Sequence, residues 1–84
     1  MILVVFEIRP RQGATPATAA KAWVNTRDPA AAETLAAQKL QDAGYEILGV
    51  IENMPTEKSD YFAPCKSLDA FELALKEGSS ILYD

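Results

Sequence analysis

With no histidine among its 84 residues, this chain offers carboxylates, a single thiol and grouped arginines as its candidates for chemistry. That composition excludes imidazole general bases, histidine-activated serine or cysteine nucleophiles, and imidazole metal ligands. One cysteine, Cys65, cannot by itself build a thiolate zinc site or an intrachain disulfide. The glycines at 13, 44, 49 and 78 stand apart from one another, so the sequence holds no glycine-rich phosphate loop.

Three groups remain. Glu46, Glu52, Glu57 and Asp60 fall close together in the sequence. Carboxylates do acid–base work only when two of them are held with their pKa values pushed apart; otherwise they form a solvated rim. Cys65 lies between Pro64 and Lys66, just ahead of a helical segment, a setting that stabilises a thiolate; the competing reading is a small buried apolar side chain. Arg9, Arg11 and Arg27 would form an anion site if their loops met at one end of a hairpin. None of these supplies a nucleophile paired with a base, so the sequence assigns no catalytic residue, no metal and no cofactor.

Partner contacts are the better-supported use. Trp23, Tyr61 and Phe62 are of the types that dominate binding hot spots when they reach a surface. The net charge of −4 disfavours nucleic acid or an anionic membrane as partner. The charge is uneven along the chain. Residues 1–39 carry five basic and three acidic side chains, a balance of +2, whereas residues 40–84 carry three and nine, a balance of −6.

The elements that would position these residues can be read in order. Ile2, Val4, Phe6 and Ile8 alternate with Leu3, Val5, Glu7 and Arg9 as a strand that Pro10 ends. Arg11 to Pro16 reads as a hairpin loop. Thr18 to Thr26 reads as a second strand, with Ala20, Ala22 and Val24 on one face and Trp23 on the other. Asp28 as N-cap and Pro29 at the first helical position open a helix over 29–43, with Ala32, Leu35, Ala36 and Leu40 along one stripe. Gly44 stops that helix. A third strand over 45–54 puts Leu48, Val50 and Met54 on one face and Tyr45, Ile47, Gly49 and Ile51 on the other. After a polar loop over 56–66, Ser67 caps a second helix reaching about Glu77, with Leu68, Phe71, Ala74 and Leu75 inward and Gly78 as its stop. Ile81 to Tyr83 form either a short fourth strand or a cover for the core.

The expected fold is therefore a single α+β domain over residues 1–84, in the order β-β-α-β-α with a terminal β as an option. It is a two-layer sandwich: a mainly antiparallel three-stranded sheet in the order 2-1-3, with both helices on one face. That leaves the opposite face bare, bearing Leu3, Val5, Trp23, Tyr45, Ile47 and Ile51. An exposed apolar surface of that size marks an interface.

The runs Phe6-Glu7-Ile8-Arg9-Pro10 and Lys21-Ala22-Trp23-Val24, with Asp28-Pro29 and Gly44-Tyr45-Glu46-Ile47, resemble small bacterial α+β proteins for which no catalytic residues are known. The resemblance implies the same layout across most of the chain and carries over no site residue. The opening apolar run is shorter than a secretory signal or a membrane span requires, so the expectation is a cytoplasmic protein away from the membrane. The functional expectation is a non-enzymatic protein-interaction module, a homodimer formed through the bare sheet face. A small-molecule binding domain, with its pocket at the dimer interface or under the 56–66 loop, is the alternative, and a carboxylate or thiol enzyme the third.

Overall fold

The structure, a computed structural model, describes residues 1–13, 15–61 and 64–83. Its elements are β1 (Ile2–Pro10), β2 (Thr18–Val24), α1 (Pro29–Asp42), β3 (Tyr45–Pro55), α2 (Lys66–Glu77) and β4 (Ser79–Tyr83), with one 3-10 turn at Lys58–Asp60. The helix ends follow their local chemistry. The Asp28 carboxylate accepts from the Ala30 N–H, and Pro29 follows at a position whose own N–H would have had no partner. Gly78 closes α2 in the left-handed region, with φ 96°, where a Cβ would be strained.

The sheet has four strands in the order β3-β1-β2-β4, each antiparallel to its neighbour. The order 2-1-3 expected for three strands is there, but β4 adds to the far side of β2. That fourth strand changes the architecture. β3 lies at one edge of the sheet and β4 at the other, so α2, which joins them, has to cross a face. The first face is already occupied by α1.

The two faces carry separate cores. Ile2, Val4, Phe6 and Ile8 from β1 and Ala20, Ala22 and Val24 from β2 pack with Ala32, Ala36 and Leu40 of α1. The alanines of β2 put short side chains under the helix, while β1 supplies the bulk. On the other face Trp23 packs with Ala70, Phe71 and Ala74 of α2, with Met1, Leu3, Tyr61 and Leu82 around them. Adjacent strand residues point to opposite faces, so a core holding Ile2 and one holding Leu3 lie on opposite sides of the sheet. The helices therefore sit on opposite faces, in three layers, instead of sharing one face of a two-layer sandwich.

β3 differs from the expected alternation. Val5 faces Glu52 and Phe6 faces Val50, which leaves Ile51 as an extra residue; Glu7 faces Gly49 and Ile8 faces Ile47, which leaves Leu48 as another. Each is a β-bulge, and each resets which side the following residues face. Tyr45, Ile47, Val50 and Asn53 consequently share the α1 face, and Glu46, Gly49, Glu52 and Met54 the α2 face. The Asn53 amide fixes this register from outside the ladder, donating to the Pro29 carbonyl at 3.0 Å in the first turn of α1.

Candidate functional site

On the α2 face, the sequence places its largest side chain beneath its most heavily bonded turn. Trp23 is only 1% exposed, and its indole N–H donates to the Tyr61 hydroxyl at 2.8 Å. Tyr61 stacks in a tilted arrangement on Phe71 of α2, with centroids 5.8 Å apart. Its hydroxyl also lies 3.2 Å from Thr56 Oγ1, and Thr56 in turn donates to Asp60 Oδ2 at 2.9 Å. The same carboxylate oxygen accepts from the Glu57 N–H at 2.8 Å. That backbone bond first, and the Thr56 hydroxyl second, hold the Asp60 carboxyl below its ordinary value of 3.8, with desolvation opposing them. Thr56 itself is buried, and its N–H donates to the Met1 carbonyl. Tyr61 thus packs against the Trp23 cluster within the 56–66 loop, under which the small-molecule alternative puts one of its two pockets.

The other sequence-derived candidates are scattered. Of the six residues expected on one bare face, Trp23 is sealed by α2, Val5 is buried and Leu3 packs at the edge of the Trp23 core. Tyr45 and Ile47 belong to the α1 face, where Tyr45 stacks on Tyr83 at 5.2 Å. Ile51 alone stands well out, at 57% exposure. The bulges in β3 and the placement of α2 are the physical causes of this dispersal. Phe62 lies outside the described residues.

The three arginines do not meet. Arg9 pairs with Glu46 at 2.9 Å on the α2 face of the sheet, with both side chains about half exposed, and Arg11 follows at the same end, where its N–H bonds the Gly44 carbonyl. Arg27 follows β2 at the end marked by the Ile2–Val24 pair. At about 3.3 Å per strand residue the two ends are roughly 23 Å apart. The carboxylates are dispersed too: Glu46 pairs with Arg9, Glu52 faces Val5, and Asp60 caps its turn. Among the described residues no group of three acidic or cysteine side chains could hold a metal ion. Cys65 is exposed and serves as the N-cap of α2, its Sγ accepting from the Leu68 N–H at 3.4 Å. It displaces Ser67, the cap expected from the sequence, by two positions.

A shallow hollow runs along the solvent side of α1, lined by Asp28, Ala30, Ala31, Thr34, Leu35 and Gln38. Its polar groups already serve the helix. Asp28 caps it, the Thr34 hydroxyl donates to the Ala30 carbonyl, and the Gln38 amide donates to Asp42. Little is left to orient a ligand there.

What the sequence reading missed is the exposed edge of β3. Leu48, Val50, Ile51 and Met54 are each 40–57% exposed, and they are half of the eight large apolar side chains exposed among the described residues. They occur within seven residues of one edge strand. The signal was present in the apolar run from Ile47 to Ile51, which is too long for a strand with one wet face. The chain matches no family model, no curated protein and no solved structure. The functional reading therefore rests on the chain's own surface. No helix among the described residues is long and apolar enough to cross a membrane.

Proposed function

We propose that this chain is a non-enzymatic interaction module that associates with a second copy of itself through the side chains along the β3 edge. The observation that carries the reading is the concentration of Leu48, Val50, Ile51 and Met54 on one strand. Isolated exposed apolar residues are ordinary, whereas four gathered along one edge strand, reaching both sides of the sheet, mark that edge as a contact surface.

The contact is made by side chains and not by extending the ladder. Two bulges interrupt the regular spacing of outward-facing amide groups, and bulges of this kind protect an edge against strand addition. They also leave Leu48 and Ile51 as the extra residues of the ladder, so that with Val50 on the α1 side and Met54 on the α2 side the exposed apolar residues make a ridge along the edge.

Magnitude sets the expected strength. Full burial of such a side chain is worth about 1.5–3 kcal/mol. Four that are already half buried, from each of two copies, would contribute about 6–12 kcal/mol together, against association costs of about 4–15 kcal/mol. With polar contacts at the rim, the pairing belongs between about 1 µM and 1 mM. Sedimentation equilibrium over that range tests the reading. The mass should rise from 9.1 kDa toward twice that value, and Val50→Lys with Ile51→Lys should hold it at the lower figure. A single mass of 9.1 kDa at all concentrations would remove the proposal.

A further inference from the structure

The hydrogen bonds around Tyr61 run in one direction only. An ionised carboxylate accepts and never donates, so Asp60 must take the Thr56 hydroxyl proton. Thr56 Oγ1 then has only lone pairs for Tyr61, which must donate its own proton to it. The Tyr61 oxygen is left to accept, and the indole N–H, a donor only, supplies the fourth member. The chain Trp23 → Tyr61 → Thr56 → Asp60 is therefore polarised toward a surface charge, an arrangement in which each bond strengthens the next.

We infer that the 56–61 segment is a strap latched over Trp23 by the negative charge of Asp60, and that neutralising this charge releases the strap and opens the α2 face. Beneath the strap lies the apolar cluster of Trp23 and Phe71 with Leu3 and Met1 at its edge, a surface that meets the β3 edge where Leu3 faces Met54. Without its charge Asp60 no longer fixes the direction of the Thr56 proton, and the bonds it receives from Thr56 and from the Glu57 N–H lose their charge assistance. Once Thr56 is free to donate to Tyr61, the Tyr61 proton is no longer committed to Thr56, and the bond from Trp23 loses the polarisation that strengthened it. The other ionisable groups around the strap are Glu57 and Lys58 within it, Glu72 of α2, which pairs with Lys58 at 3.3 Å, and the amino terminus of Met1 beside Thr56.

The sign of the pH response follows from the lowered Asp60 carboxyl. The strap is closed above the ordinary carboxylate value of 3.8 and opens as pH falls through a midpoint below it. Trp23 is the chain's only tryptophan, so its fluorescence reports on this site alone. Acrylamide quenching should be followed from pH 7 to pH 2, with far-UV circular dichroism in parallel. The wild type should lose indole protection in an acid step that precedes the loss of helix. Asp60→Asn should be more quenchable at pH 7 and show no acid step, and Glu72→Gln should keep the step, since it removes only the neighbouring pair. A step coincident with unfolding, one retained in Asp60→Asn, or one lost in Glu72→Gln would overturn the inference. Should Asp60→Asn fail to fold, Tyr61→Phe carries the same test: it cuts the chain between carboxylate and indole, and an unchanged acid step in it would be equally fatal.

Discussion

Trp23 was expected on a bare face and is instead the centre of a core, and truncating it separates the two arrangements. An indole at the surface can be replaced at a cost within about 0.5 kcal/mol. An indole that is 1% exposed, with Ala70, Phe71 and Ala74 against it, cannot. Trp23→Ala should cost about 3–5 kcal/mol through lost burial and the remaining cavity, and about 1 kcal/mol more because the Tyr61 hydroxyl loses its donor. A chain of 84 residues has a total stability of about 4–12 kcal/mol, so this variant sits close to unfolding. Trp23→Phe is the more readable change. It keeps an aromatic ring, leaves a smaller void and removes the N–H, for an expected loss of about 1.5–3 kcal/mol. Urea unfolding followed by far-UV circular dichroism gives the difference, with the slope against denaturant checked for constancy. A loss below about 0.5 kcal/mol would refute the burial of Trp23 and the sealing role of α2 with it.

Other changes have smaller, defined effects. Asp28→Ala removes the acceptor for the Ala30 N–H and should cost about 0.5–2 kcal/mol in the same assay, while Asp28→Asn should cost much less. Gly78→Ala forces a Cβ into a φ of 96° with no clash nearby, so about 1 kcal/mol of pure backbone strain is expected in urea unfolding. Leu40→Ala, at a site with no solvent exposure, should cost about 2–5 kcal/mol, whereas Leu35→Ala on the outer side of the same helix should stay within about 0.5 kcal/mol; thermal melts of the pair would show the contrast.

The parts of the fold that were legible in the sequence are those fixed by local chemistry. Asp28-Pro29 and Gly44 bracket α1 because capping and the left-handed stop act within a few residues. β1 was legible because Ile2, Val4, Phe6 and Ile8 alternate with a polar partner at Glu7 and Arg9. The failures are long-range. Ser79–Tyr83 is five residues long and carries no polar alternation, so only its pairing with β2 identifies it as β4. Without β4 there was no platform for α2 on the second face, and both helices fell onto one side. In β3, apolar residues occupy both parities between Ile47 and Val50, so facing could not be read locally, and the two bulges that decide it are set by pairing with β1. Leu75, expected inward, is half exposed for a related reason: α2 lies over β2 and β4 and rests on Ala70, Phe71 and Ala74. As for site chemistry, the sequence showed which residue types were present. The distances among the arginines and carboxylates depended on topology.

The most direct test of the β3 ridge as a contact surface is the concentration dependence of backbone amide signals in solution. Amide chemical shifts should move on dilution for residues 48–54 and stay fixed for α1, α2 and β4. Shifts centred on Leu73 and Leu75 of α2, or none anywhere up to millimolar concentration, would contradict the account.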